Sequence, residues 1–441
     1  MLFTVELLAI ERCLDESASL GRHPQVCLSE ILFMNIWIVN HYAIPPGQPG
    51  GTRHHDLALH LMRRGHRPMI VACNFNHWSR MQHQPLRVGT HIQTREEGVP
   101  YRWIRSTAYG SSWQRLLNML LFALRLQRIA RWHPDVPDVV VGSSPHLLAA
   151  LSAWMLARRL SVPFVLEIRD IWPLSMVEVA GLPRHHPVVL IFSWIEKFLY
   201  RRADGIVSLL PGTKNHLKQR VTKFGPYLWL PNGINIDVIE EAPLRSEAAP
   251  FTLLYAGSHG DANHLDTILD AADILQQNHA AVRIDFIGQG PEKPRLMSRA
   301  RSMGLLNVSF ENPIPKHDVY SRLAEADAFV IALKRTSLYR FGISLNKLFD
   351  YMAVGRPIIF SGFAYANPVT IAHCGVCVPP ENAQALADAI RQLASLTSEK
   401  RQTIGRRGRR YVEANHNTNL LAGTLAKYLQ TIIEDHAEKN L

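Results

Sequence analysis

The residues best suited to chemistry in this 441-residue chain lie in one stretch, KRTSLYRFGISLNKLFDYMAVGRP at 334–357. A loop rich in basic and small residues, beginning at Lys334, runs into a predicted helix whose first turn offers Ser344, Asn346 and Lys347. Unpaired backbone NH groups, the positive end of the helix dipole and an ammonium group therefore converge. This combination predicts a binding site for a diphosphate.

Asp350 follows Asn346 by four residues, which places both on one face of the predicted helix, one turn apart. A carboxylate there can accept hydrogen bonds from the two hydroxyls of a ribose. A capped surface helix would explain Asn346 but not the whole set of residues. We therefore expect Asp350 to bind the ribose of a nucleotide.

A second group of charged residues lies in EIRDIWP at 167–173, at the carboxyl end of an apolar strand. Charges at that position must be solvated or paired, and they face the cleft where open parallel sheets bind ligands. Asp170 is suited to a hydrogen bond with a sugar hydroxyl or the attacking hydroxyl. Glu167 can instead form a structural ion pair with Arg169, and a purely structural role for Asp170 also stays open.

A third feature is the glycine-rich loop PGQPGGT at 46–52, between the first strand and a helix. Its spacing is not GxGxxG, and the second strand ends in Ala-Cys-Asn rather than in an acidic residue, so a dehydrogenase is not indicated. The backbone at Gly50 and Gly51 can face a phosphate, although the alternative is a plain tight turn.

The elements around these residues alternate between strands and helices from Met34 to about residue 240, and again from Phe251. This pattern predicts an α/β protein with two Rossmann-like, doubly wound parallel-sheet domains that face each other across a cleft. We expect an N-terminal domain at 34–240, a C-terminal nucleotide-sugar domain at 251–415 and a final helix at 416–441. Residues 1–33 are expected to form a poorly ordered extension.

Net charge and cysteine content indicate the kind of partner and disfavour two classes of protein, nucleic-acid-binding proteins and disulfide-rich proteins. The net charge is +11, and residues 34–239 alone hold 24 Lys and Arg against 11 Asp and Glu, which is +13. That excess indicates an anionic partner, yet no aromatic residues interleave with a basic stripe, so a nucleic-acid-binding protein is not favoured. The five cysteines are too few for a disulfide framework, and neither a secretory signal nor a transmembrane helix is expected.

The stretch 334–357 resembles the signature of family 4 glycosyltransferases of the GT-B fold, which carries SPNKL-type loops followed by EYMAAGKP. HYAIPPGQPGG, EIRDIWP, PNGIN and FIGQGP also resemble that family, in the expected order. The match is greatest to the bacterial O-antigen and capsule branch, with a weaker likeness to fucosamine-type transferases. The resemblance implies a retaining glycosyltransferase of the cytoplasm, with a UDP-sugar donor, no bound metal and no other cofactor.

The sequence departs from the family at two places. Of the two acidic residues that flank the family's loop, the second falls on Asp350, but the first falls on Gly342. The family's Arg and Lys on the loop after the first strand of the C-terminal domain are replaced by AGSHGDAN at 256–263. We therefore expect backbone NH groups near Gly257 and Ser258 to contact the diphosphate, with charge supplied by Lys334 and Lys347.

The acceptor is expected to be a lipid-linked diphosphate or a saccharide. The basic amphipathic stretch 111–132 suits an anionic membrane surface at the inner face of the plasma membrane, although an ordinary domain helix fits equally well. A GT-B nucleotide-sugar epimerase or a non-catalytic nucleotide-sugar-binding protein remains an alternative.

Overall fold

A computed structural model describes residues 33–48, 50–77, 79–83, 91–129, 136–144, 146–314 and 316–439, without the side chains of residues 316 and 317. The expected extension at 1–33 lies outside these residues except for Phe33. No helix in the described ranges is long and apolar enough to cross a bilayer.

The first of two sheets has, among the described residues, eight strands in the order β3-β4-β2-β1-β5-β6-β7-β8. All neighbours are parallel except the β3–β4 hairpin. The strands are β1 (Asn35–Val39), β2 (Arg67–Cys73), β3 (His91–Glu96), β4 (Val99–Ile104), β5 (Val139–Ser143), β6 (Phe164–Ile168), β7 (Gly205–Ser208) and β8 (Tyr227–Trp229). The sequence did not predict the hairpin, because β3 is polar and largely accessible to solvent.

The second sheet has six described strands in the order β11-β10-β9-β12-β13-β14, all parallel. They are β9 (Phe251–Ala256), β10 (Val282–Ile287), β11 (Val308–Glu311), β12 (Ala328–Ala332), β13 (Ile358–Ser361) and β14 (Gly375–Val378). Two parallel-sheet α/β units confirm the predicted fold class.

Helices cover both faces of each sheet. In the first half they are α1 (Arg53–Arg63), α2 (Ser112–Leu126), α3 (Leu147–Leu160), α4 (Leu174–Glu178), α5 (Pro187–Arg202) and α6 (Thr213–Arg220). In the second half they are α7 (Asp266–Gln277), α8 (Lys293–Ser302), α9 (Lys316–Ala324), α10 (Asn346–Val354), α11 (Pro368–Ile371), α12 (Ala383–Ala394), α13 (Ser398–Asn415) and α14 (Thr418–Glu438). Short 3-10 helices occur at Ile236–Val238, Asp261–Asn263 and Ser337–Phe341.

The apolar residues of each sheet form a core on both of its faces, as expected for parallel strands. Helix α14 packs beside α1 on the first sheet, where Leu425 and Leu429 join the core that contains Ile36. Arg64 of α1 also donates a hydrogen bond of 2.7 Å to Asn419 Oδ1. The chain therefore returns to its first sheet after completing the second.

Candidate active site

A cavity of about 200 Å³ lies between the two sheets, at the carboxyl end of β6. Arg169 and Asp170 line it from the first half, and Gly342 and Ser344 line it from the second. Asn232 joins the two sides, because its backbone NH donates to Ser344 Oγ at 2.9 Å and its side chain donates to the Ser344 carbonyl at 2.7 Å. The structure thus brings Asp170 and Ser344 to one cleft, and Ser344 Oγ accepts a bond across it.

Asp170 is accessible to solvent from the cavity, yet protein atoms surround its carboxyl on most sides. This desolvation raises the pKa of Asp170, and the nearby positive charge of Arg169 only partly offsets it. Arg169 forms no ion pair with any described residue, and its buried Nε has no hydrogen-bond partner among them. The cleft therefore contains a guanidinium available to an anion, a role that sequence reasoning missed by pairing Arg169 with Glu167.

Glu167 belongs to a buried network behind the cavity. Its Oε1 accepts a hydrogen bond from Arg53 Nε at 2.9 Å. Its Oε2 accepts one from Ser143 Oγ at 2.6 Å and also lies 2.6 Å from His54 Nε2. Burial would raise the pKa of Glu167, but the positive partners His54 and Arg53 outweigh burial and hold it well below its usual range. The alternative of a structural ion pair between Glu167 and Arg169 is wrong in its partner, because Arg53 on α1 reaches the carboxylate instead.

Lys347 lies in the first turn of α10 and points toward the loop after β9. Its ammonium donates to the Tyr255 hydroxyl at 2.7 Å and to Asn263 Oδ1 at 2.9 Å, and it lies 4.5 Å from the centre of the Tyr255 ring. No described carboxylate pairs with it. Because protein atoms enclose the ammonium without a counter-charge, burial lowers the pKa of Lys347 to about 7.

The backbone at Gly257 passes directly beside this ammonium. A Cβ at Gly257 would lie 3.0 Å from Lys347 Nζ, and the φ of +153° disfavours any side chain. The Gly257 NH donates to the Ile287 carbonyl at 2.9 Å, so it is already used within the sheet. The Gly257 NH is therefore not free for a phosphate, and a contact through the backbone NH of Ser258 remains a prediction. Ser258 is exposed, and its carbonyl accepts from the Tyr255 hydroxyl at 2.6 Å.

Lys334 lies on the other side of the 3-10 helix Asp261–Asn263. Its exposed ammonium donates to both oxygens of Asp261, at 3.0 and 2.9 Å. The hydrogen bond to Asp261, followed by the charge attraction, raises the pKa of Lys334. Its charge is therefore already balanced, whereas that of Lys347 is not.

The glycine-rich loop meets the start of α10. A Cβ at Gly51 would lie 3.0 Å from the amide nitrogen of the exposed Asn346, so the loop closely approaches the first residue of the helix. Gly50 beside it is exposed and has a φ of +129°, a conformation that L side chains rarely adopt. Both glycines therefore lie opposite the helix terminus on which we predicted the diphosphate site.

Asp350 is half-buried, and its Oδ1 accepts a hydrogen bond of 3.0 Å from the Tyr320 hydroxyl. At the position of the family's first acidic residue, Gly342 has a φ of +97°, and a Cβ there would lie 2.6 Å from the ring of Pro211. The contact between the two halves of the molecule thus excludes an acidic side chain at Gly342.

Two family models match most of the chain. Residues 50–233 match the model of the glycosyl transferase 4-like domain, and residues 250–395 match that of glycosyl transferases group 1. The putative colanic acid biosynthesis glycosyl transferase WcaI of Escherichia coli is 27% identical over 337 residues, which cover 71% of this chain and 80% of that protein.

Solved structures show the same fold. A sucrose-phosphate synthase from Thermosynechococcus elongatus has a TM-score of 0.72 at 17% identity and covers 91% of this chain and 100% of its own. Anabaena HepE in complex with UDP and glucose has a TM-score of 0.64 at 14% identity and covers 90% and 99%. Taken with the two matched domains, these likenesses identify the chain as a family 4 glycosyltransferase of the GT-B fold.

Proposed function

We propose that the enzyme transfers a sugar, with retention at the sugar carbon, from a nucleotide diphosphate to a lipid-linked or saccharide acceptor of a cell-surface polysaccharide. The observation that carries this proposal is the enclosed ammonium of Lys347 at the start of α10, which has no described counter-charge. A diphosphate would supply that charge, and the α10 dipole would add to the attraction.

The donor would lie with its diphosphate between Lys347 and the loop at Gly51, and with its ribose at Asp350. The sugar would then project toward Arg169 and Asp170 in the interdomain cavity. A nucleotide-sugar donor is supported by HepE, which shares the fold and was solved with UDP-glucose. A role in polysaccharide synthesis is supported by WcaI, which is described as a putative colanic acid biosynthesis glycosyl transferase. We propose a UDP-sugar, and the likeness to fucosamine-type transferases adds 6-deoxy amino sugars to the donors worth testing.

Catalysis would depend on stabilising the charge that develops on the leaving diphosphate. Lys347 would supply positive charge at the diphosphate and Arg169 at the end of the donor nearest the sugar, and the α10 terminus would add backbone NH groups. The departing phosphate would take the proton of the acceptor hydroxyl, while Asp170 orients the sugar. No metal is required in this scheme, and the matched family models do not favour an epimerase or a non-catalytic binding protein.

A panel of nucleotide sugars tests this proposal, with release of each nucleoside diphosphate as the readout and NMR of the product to define the anomeric configuration. We expect one donor to be consumed, and we expect binding of that donor to be weakened about 10- to 100-fold in both Lys347→Met and Asp350→Asn. Unchanged calorimetric binding in both variants would refute the assignment of the site.

We also propose that the enzyme acts at the cytoplasmic, anionic face of the plasma membrane. One side of α2 exposes apolar residues to solvent: Trp113, Leu116, Leu117, Leu120 and Leu124. Phe122 of the same stretch is buried in the core and does not belong to this exposed side. The expected helix to residue 132 ends at Leu126, and Arg131 and Trp132 lie outside the described residues.

A further inference from the structure

A cluster of basic and aromatic side chains lies at the carboxyl edge of the first sheet, where open parallel sheets bind their ligands. Tyr42 follows β1, His77 and Arg80 follow β2, Tyr109 follows β4, and Arg115 lies on α2. Only β5 separates β1 from β6, at whose end the interdomain cavity lies. Because neighbouring strands are about 4.8 Å apart, the cluster begins about 10 Å from that cavity.

Tyr42 holds Arg115 in place within the cluster. Arg115 Nε and Nη2 donate to the Tyr42 hydroxyl at 3.2 and 3.0 Å, and the guanidinium carbon lies 5.6 Å from the centre of the same ring. Burial raises the pKa of Tyr42, so the phenol is neutral and does not balance the guanidinium charge. Arg115 forms no ion pair with any described residue and is half-buried.

Tyr109 holds Arg80 in the same way. Arg80 Nη1 donates to the Tyr109 carbonyl at 2.8 Å, and its guanidinium carbon lies 5.6 Å from the centre of the Tyr109 ring. The backbone of Arg80 has a φ of +59°, a conformation that costs energy in residues other than glycine. Two backbone hydrogen bonds maintain this turn, from the Arg80 NH to the Asn76 carbonyl at 3.1 Å and from the Asn76 NH to the Met81 carbonyl at 2.8 Å. The loop therefore fixes an exposed guanidinium beside the aromatic ring.

His77 shows that the two arginines act on one place. Its Nδ1 lies 2.6 Å from the Tyr109 hydroxyl, and its ring centre lies 5.8 Å from that of Tyr42. Burial, and then the positive charges of Arg115 and Arg80, lower the pKa of His77 to about 4. No described carboxylate pairs with either guanidinium. Two uncompensated guanidinium groups around one site favour an anionic ligand, which their forked NH groups can bind in pairs.

His146 connects the cluster to the interdomain cavity. It follows β5, its ring centre lies 6.2 Å from that of Tyr42, and its buried Nε2 has no hydrogen-bond partner among the described residues. Two positions earlier, Ser144 Oγ accepts a hydrogen bond of 3.0 Å from the backbone NH of Arg169, which lines the cavity. A ligand that extends from the cavity to the cluster would therefore run along the ends of β6, β5 and β1. A di- or trisaccharide is long enough to do so.

We propose that this cluster binds the carboxylate of an acidic sugar in the acceptor saccharide, one or two sugar units away from the hydroxyl that is glycosylated. Arg80 and Arg115 hold the carboxylate, and the Tyr42 ring contacts the sugar next to it. The accepting hydroxyl then lies in the cavity, beside Asp170. The inference rests on the proposed glycosyltransfer and narrows its saccharide acceptors to those that contain a uronic acid.

The test measures calorimetric binding of tetrasaccharides that contain glucuronate or galacturonate to the full-length protein. Each is paired with its carboxyl-reduced counterpart, which keeps the sugar backbone but has no charge. We expect at least one acidic tetrasaccharide to bind at least tenfold more tightly than its reduced form. Arg80→Gln combined with Arg115→Gln should weaken binding of the acidic form by about 10- to 100-fold and leave the reduced form unaffected.

Arg158→Gln combined with Arg301→Gln is the matched control, because it removes the same charge from two exposed arginines and should change nothing. Tyr42→Phe is a milder variant that keeps the ring and removes the hydroxyl that orients Arg115, so it should reduce the preference for the acidic form. Unchanged donor binding in these variants shows that the fold is intact.

The inference would be overturned if no acidic tetrasaccharide were preferred by the wild-type protein, or if the double variant of Arg80 and Arg115 kept the full preference. Loss of anionic vesicle binding in that variant, without any preference for acidic saccharides, would also overturn it and assign the cluster to lipid headgroups. Donor binding separates the two levels. Normal donor binding without a preference for acidic saccharides refutes this inference alone. A preference that depends on both arginines, in a protein that binds no nucleotide sugar, refutes the proposed function and leaves the saccharide site.

Discussion

Binding of the nucleotide sugar should take up a proton at neutral pH, because Lys347 is enclosed without a carboxylate partner. Its pKa of about 7 means that about half of the free enzyme carries the ammonium at pH 7. A bound diphosphate favours the charged form and therefore raises the pKa. Protons are then taken up on binding, and the affinity increases as the pH falls.

The magnitude follows from the protonated fraction. If only the ammonium form binds, about nine tenths of the enzyme is competent at pH 6 and about one tenth at pH 8. The apparent affinity should therefore fall about tenfold between these values, or about 1.4 kcal/mol. Proton uptake should rise from about 0.1 per donor at pH 6 to about 0.9 at pH 8. His259, which also lies near Lys347, has its pKa lowered to about 4 by burial and is neutral in the free enzyme throughout this range.

Calorimetry in buffers of different ionisation enthalpy measures this uptake directly. Lys347→Met keeps most of the side-chain volume but removes the titrating group, so its weaker binding should be independent of pH from 6 to 8. A wild-type enzyme that binds the donor with no proton uptake at pH 8 would contradict the titration of Lys347. Wild-type uptake in Lys347→Met would contradict it equally.

Four other outcomes are expected. Arg169→Met should lower kcat/KM about 10- to 100-fold at an unchanged melting temperature, because it removes a positive charge in the cleft that forms no ion pair with a described residue. Normal kinetics in this variant would exclude Arg169 from the site. Glu167→Gln should lower the free energy of unfolding in urea by about 3–5 kcal/mol, because Arg53 would lose its buried counter-charge, whereas the exposed Glu240→Gln should have little effect. Turnover should persist in excess chelator, and recovery of a chelated enzyme by magnesium or manganese would contradict the proposed charge stabilisation. Anionic vesicles should bind the protein at low salt and release it at high salt, and Arg125→Glu with Arg128→Glu should weaken that binding without changing donor affinity.

The sequence by itself determined the fold class. Parallel strands buried on both faces require continuous apolar runs, and runs such as those of β1, β6 and β12 are visible without a structure. The β3–β4 hairpin was missed for the same reason, because β3 has no such run. The prediction of an anion site at a helix start that combines Asn346 with Lys347 also depends on spacing alone, and it remains a prediction.

Only the tertiary structure decided which of these residues act together. Arg53 and Glu167 are 114 positions apart, and no local pattern shows that Arg53 takes the carboxylate and leaves Arg169 to the cleft. Gly342 appears in the sequence as a lost acid, but the packing of Pro211 against it shows that no side chain fits. The charge state of Lys347 likewise depends on Tyr255 and Asn263, which are 92 and 84 positions away. Sequence spacing reports on neighbours within one element, whereas ion pairing and desolvation depend on atoms that only folding brings within a few ångströms.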